Sequence, residues 1–225
     1  MKGVFNDRPV LPRYTAIWDV SIVLNYIKAL APVDDLSLKL LTKKLVMLMA
    51  LLSAQRVQSL YLLDIASMVK TDDRAVFSIS AAVKQTRPGF HMKPMEFTSF
   101  PHDKDLCVID VLGKYLARTA GIRGGCSYLF ISFQKPHRHA STDTLSRWLK
   151  SVLRSAGIDT TMFKGHSTRA ASVSAADRAG VPIHDILAAA GWSSSGTFDK
   201  FYNKSVSQTG QFSRAIMSST CTNVD

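Results

Sequence analysis

The sequence predicts an α+β fold that is mostly α-helical, with a small antiparallel β-sheet. Apolar residues recur at helical spacing along most of the 225 residues, and one stretch with β-strand character and a Pro-Gly turn interrupts them. A hydrophobic content of 46% is enough for one sizeable core.

Pro9 and Pro12 precede a first helix expected over about residues 15–30, where Ile17, Val20, Val23, Leu24 and Ile27 keep helical spacing, and Pro32 ends it. Asp35 or Ser37 offers a cap for a second, longer helix through Leu52. A third is expected from near Ser53, carrying Arg56, Leu60 and Leu63. Val76, Phe77, Ile79 and Val83 then suggest a strand, residues 84–89 (Lys-Gln-Thr-Arg-Pro-Gly) supply a turn, and residues 95–100 return as its partner.

Residues 105–120 are again helical, with a stripe of Val108, Val111, Leu112, Tyr115 and Leu116 and a stop at Gly121. Residues 128–131 read as a short extended piece ahead of a basic loop containing Arg138. Ser141 or Thr142 caps a helix to about Ala156 that turns Leu145, Trp148, Leu149, Val152 and Leu153 inward. Arg147, Lys150 and Arg154 share its opposite face, which is either solvated or rests on phosphates together with Arg138. A helix entered at His166 runs through Ala179 to Gly180, and Pro182 opens another that ends at Gly191. Ser194 or Ser195 caps a last helix with Phe198, Phe201 and Tyr202, and the chain turns polar from about Gly210.

Composition narrows the function. Twenty-eight Lys and Arg against 17 Asp and Glu give a net charge of +11, which favours a polyanionic partner and salt-sensitive binding. Cys107, Cys126 and Cys221 have no CxxC spacing, so neither a disulfide framework nor a structural zinc site is indicated. The N-terminus lacks the apolar run of a secretory signal, and the apolar stretch at residues 45–52 is too short for the roughly 20 residues of a membrane span. Walker, HExxH and GxSxG patterns are absent.

The chemistry concentrates in Gly165-His166-Ser167-Thr168-Arg169, then Gly191-Trp192, then Phe201-Tyr202. His166 and Arg169, three apart, share a helix face. Taken singly, each has an ordinary explanation: a surface arginine, a helix-capping histidine, core aromatics. The joint order, with Arg56 and Lys84 upstream, resembles the catalytic domain of the tyrosine recombinase, or phage-integrase-type, family. The wording of residues 191–193 and 201–203 is most similar to recombinases of DIRS- and Crypton-type eukaryotic mobile elements.

That resemblance implies the DNA breaking-rejoining catalytic core. Tyr202 would be the nucleophile, Arg56 and Arg169 would stabilise the phosphate, His166 and Trp192 would add hydrogen bonds, and Lys84 would be the general acid, with Lys93 a competitor for that role. No metal or other cofactor is implied. The implied partner is double-stranded DNA, and whether a dimer or tetramer assembles on it is left open. An intracellular location is implied, nuclear in a eukaryotic host. An inactive DNA-binding remnant and a topoisomerase-like swivelase share the same features.

The chain departs from the family pattern in three places. The gap from Trp192 to Tyr202 is one residue longer than usual, which sets Phe201 at the standard nucleophile position. Ser59 stands where many relatives carry an acidic residue that supports the arginine. Residues 1–34 read as a lead-in and first helix, 35–209 as the catalytic domain and 210–225 as a tail, so the separate N-terminal core-binding domain of relatives is expected to be missing.

Overall fold

Asp19 sets the start of the first helix in the computed structural model, which describes residues 16–79, 93–192 and Phe198. Its carboxylate accepts from the Ser21 N–H at 2.9 Å, so helix α1 is Val20–Ala29 rather than beginning near residue 15. Ile17 and Trp18 precede it and are buried outside any helix.

Ser37 is the cap of the longest helix, α2 (Leu38–Ser53), accepting from the Leu40 N–H. Almost all of α2 is buried, Lys44 included. The Lys44 ammonium donates to the Leu30 carbonyl at 2.6 Å, at the C-terminal end of α1 where a cation is favoured, while burial lowers its pKa. Leu52 is the exception on the apolar stretch, at 55% exposure.

The third helix does not follow on directly. Ala54 is left-handed, with φ 50°, and turns the chain so that α3 is only Val57–Tyr61, with Arg56 as its N-cap residue rather than a residue inside the helix.

Three antiparallel strands form one sheet in the order β1 (Met68–Lys70), β2 (Arg74–Phe77), β3 (Met95–Thr98). Pairing sets Met68 opposite Phe77 and Phe77 opposite Met95. Ala75, Phe77, Met95 and Phe97 face the core, where Phe77 and Phe97 meet edge to face at 6.2 Å. The turn between β2 and β3, with Lys84, lies outside the described residues.

Helix α4 (Val108–Thr119) packs on α2. Gly121 is not its left-handed stop: the N–H groups of Ile122 and Arg123 both return to the Thr119 carbonyl, and the left-handed residue is Gly124, φ 54°. Helix α5 (Thr142–Ser155), capped by Ser141, buries all five expected residues, Leu145, Trp148, Leu149, Val152 and Leu153. Helices α6 (Ser167–Arg178) and α7 (Ile183–Ala190) follow, and α6 also packs on α2. Among the described residues no helix is long and apolar enough to cross a membrane. Of the expected last helix only Phe198 is described, and it is buried; the polar tail and Tyr202 lie outside the described residues.

Candidate active site

Two chain segments distant in sequence meet at the C-terminal end of α2. The left-handed turn at Ala54 presents Gln55 and Arg56, and α6 brings its N-terminus beside them. Arg56, His166 and Arg169 line one cleft of about 330 Å³ with Gln55, Gln58, Ser146, Leu149 and Gly165. Among the described residues no carboxylate lines it. Gly165 sits at a close approach: a Cβ there would lie 3.1 Å from the Ser146 carbonyl oxygen and 3.4 Å from Leu149 Cβ, so any side chain would require α5 to give by a few tenths of an ångström.

Arg56 Nη1 is buried and has no hydrogen-bond partner among the described residues. A guanidinium N–H buried without a partner is costly, and an anionic oxygen in the cleft would satisfy it. His166 occupies the N-cap position of α6, yet its side chain makes no capping bond there, and it is exposed toward solvent. The helix end is instead fixed by Thr168, whose hydroxyl donates to the Gly165 carbonyl at 2.8 Å. The positive end of the α6 dipole adds to the two arginines.

Arg169 is 4% exposed and is held by α7. Its Nη2 donates to the Ala190 carbonyl at 2.7 Å, and its guanidinium lies 4.4 Å from the centre of the Trp192 ring. Gly191 makes this contact possible: with φ 65° it reverses the chain, and the Trp192 N–H returns to the Leu187 carbonyl at 2.9 Å, a Schellman closure. Arg56, His166, Arg169 and Trp192 are therefore brought together, while Lys84 and Tyr202 lie outside the described residues. Lys93 is described and exposed.

Some supporting residues carry no sequence signal. Gln55 donates its amide to the Ala189 carbonyl, which ties the Arg56 turn to the end of α7, and the Ser59 hydroxyl donates to Gln55 Oε1 at 3.4 Å. Ser59 thus stands behind Gln55. Trp18 donates its indole N–H to Ser167 Oγ at 2.8 Å, a buried bond that anchors the first residue of α6. Of the four basic residues expected to meet phosphates, Arg138 and Arg147 line a second cavity, Lys150 is half-buried, and Arg154 is exposed with its Nε 3.4 Å from Thr160 Oγ1.

A mostly helical domain with a small edge sheet and a basic cleft is the class that fold and site define. The chain belongs to the phage integrase family, whose model matches residues 25–208. Among solved structures it is similar to XerA recombinase, at 17% identity and a TM-score of 0.61, over 96% of this chain and 66% of that one. It is also similar to the XerH site-specific recombinase bound to its difH substrate, at 13% identity and 0.60, over 83% of this chain and 49% of that one. A lambda integrase (75-356) dimer bound to a COC′ core site matches at 15% identity and 0.56, over 92% of this chain and 66% of that one. The chain therefore spans from about half to about two thirds of the length of these recombinases. No curated protein matches it in sequence.

Proposed function

We propose that this chain cuts and rejoins duplex DNA through a 3′-phosphotyrosyl bond to Tyr202, as the catalytic domain of a tyrosine recombinase. The observation that carries this reading is the convergence of Arg56, His166 and Arg169 on one cleft that no carboxylate of the described residues lines, with a buried Arg56 N–H that has no partner among them. Duplex DNA as the partner is supported by the family and by the likeness to the DNA-bound XerH and lambda integrase structures.

In this mechanism the Tyr202 oxygen attacks the scissile phosphorus, the bond to the 5′-oxygen breaks, and that oxygen leaves as a hydroxyl. His166 assists removal of the tyrosine proton, because imidazole titrates near working pH. Lys84 supplies the proton to the leaving oxygen. Charge gathers on the non-bridging oxygens, where guanidinium donors of Arg56 and Arg169 stabilise the transition state more than the ground state. The Trp192 indole can donate a hydrogen bond but no catalytic proton. The phosphotyrosyl linkage retains the energy of the broken diester, so a free 5′-hydroxyl reverses the step without ATP.

Covalent trapping tests this. Wild type and Tyr202→Phe are mixed at low salt with randomised nicked duplexes, denatured and separated. A protease-sensitive DNA adduct with the wild type alone is the expected result. Adducts that persist with Tyr202→Phe would remove the nucleophile assignment, and none with either would favour an inactive DNA-binding remnant, the reading that Phe201 at the usual register supports. Exchange between duplexes separates a recombinase from a swivelase, which relaxes supercoils without exchange. The source we infer is a DIRS- or Crypton-type mobile element, on the wording around Trp192 and Tyr202, with the nucleus as the place of action in a eukaryotic host.

A further inference from the structure

Helix α5 is a wall between two cavities. Ser146 and Leu149 face the candidate active site, whereas Thr144, Arg147, Trp148 and Ser151 line a second cavity of about 440 Å³ with Lys39 and Lys43 of α2 and the 132–140 loop. Four basic side chains reach this second cavity, Lys39, Lys43, Arg138 and Arg147, and among the described residues no carboxylate lines it. None of the four takes part in an ion pair among the described residues.

Like charges have been gathered here at a cost. Lys39 and Lys43 are i and i+4 on α2, where two cations repel. Lys43 is half-buried, its ammonium donates to Ser151 Oγ, and both its burial and the neighbouring Lys39 lower its pKa. The Arg147 Nη2 is steadied by Thr144 Oγ1 at 3.1 Å. Cations held together in a concavity and steadied by hydroxyls, with no acid to neutralise them, are arranged to receive an anion. The floor is apolar: Phe133 and Trp148 stack at 5.0 Å, a surface suited to a deoxyribose beside the charge.

We infer that the pocket between Lys39, Lys43, Arg138 and Arg147 binds a backbone phosphate of the duplex, separate from the phosphate that is cut. The identity of the anion as DNA rests on the proposed function; the pocket itself rests on its lining. It adds the N-terminal half of α2 to the DNA-contacting surface and leaves Lys150 and Arg154 outside this pocket.

The test compares Lys39→Gln/Lys43→Gln with Lys104→Gln/Arg178→Gln, a pair of exposed positions lining neither cavity that removes the same charge. Duplex affinity is measured against salt concentration for the full chain, with circular dichroism melts to establish that both variants fold. The slope of log affinity against log salt should fall by about one for the pocket variant, and by clearly less for the control. Equal slopes for the two variants would overturn the pocket, as would a full chain that binds no duplex at low salt. Inorganic pyrophosphate that binds the wild type and not the pocket variant in calorimetry, with the duplex slope unmoved, would make this a free-phosphate site and overturn the DNA assignment. Loss of covalent adducts in the wild type bears only on Tyr202, because the salt slope reads binding without chemistry.

Discussion

Trp18 and Ser167 are joined by a 2.8 Å hydrogen bond between indole N–H and hydroxyl, inside the core and 149 residues apart in sequence. The segment ahead of α1 thereby fixes the first residue of the helix that carries His166 and Arg169. Trp18→Phe removes the donor and keeps most of the ring. We expect it to cost about 1 kcal/mol, the typical worth of one buried hydrogen bond, as read from urea unfolding. Adduct formation should fall with little change in duplex affinity, since it is the orientation of α6 that suffers.

Arg169→Lys keeps the charge and loses the fork. The planar guanidinium donates to the Ala190 carbonyl and lies over Trp192 at the same time, which a single ammonium does not match. The rate of adduct formation should drop by about 100-fold or more, the scale seen when one oxyanion donor is removed, while the salt slope of duplex binding shifts by less than one.

Ala54 separates backbone effects from volume effects. At φ 50° it takes a conformation costly for any residue with a Cβ, and it packs against Val173, Ile186 and Ala190. Ala54→Gly relieves the strain, frees the unfolded chain and loses a methyl, so chemical denaturation should move by less than about 0.5 kcal/mol. Ala54→Val is branched where the left-handed region tolerates it least and should cost about 2 kcal/mol or more.

His139 makes stability depend on pH. Its ring stacks on both Tyr61 and Tyr128, at 4.2 and 3.8 Å, and its Nε2 meets the Tyr61 carbonyl at 3.0 Å. Burial lowers its pKa, outweighing the Tyr61 carbonyl and the Asp64 charge, which raise it. A histidine kept neutral in the fold contributes stability that is whole above its unfolded value near 6.5 and is lost as pH falls below it toward the folded value. Melting temperature should therefore decline on acidification through that window in the wild type, and decline less in His139→Phe, which keeps the stack.

Legibility in the sequence tracked how locally each feature is determined. The inward face of α5 and the caps at Ser37 and Ser141 follow from spacing and one hydroxyl, and they stand as expected. Strand β1 went unseen because Val69 is 68% exposed and three residues give no alternation to detect. The start of α3 was misplaced because nothing in the composition of Ser53-Ala54-Gln55-Arg56 announces a left-handed alanine. Arg56, His166, Arg169 and Trp192 were readable as a motif. Gln55 and Trp18 were not, because their partners, Ala189 and Ser167, lie more than 100 residues away. Lys39 and Lys43 were readable in principle as an i, i+4 pair of cations on one helix, but only the chain's folding shows Arg138 and Arg147 facing them.

Helix α2 begins at the pocket of Lys39 and Lys43 and ends at the turn that presents Arg56. It is buried along nearly its whole length and packed by α4, α5 and α6, so it cannot stretch or bend without opening the core. From Lys43 to Ser53 it rises about 15 Å at the usual 1.5 Å per residue. If the proposed phosphate pocket and the candidate active site hold one duplex, this helix would act as a ruler between them, fixing a separation of about four to five base pairs at 3.4 Å each. Where the strand is cut would be measured from a fixed point rather than found by reading bases at the break.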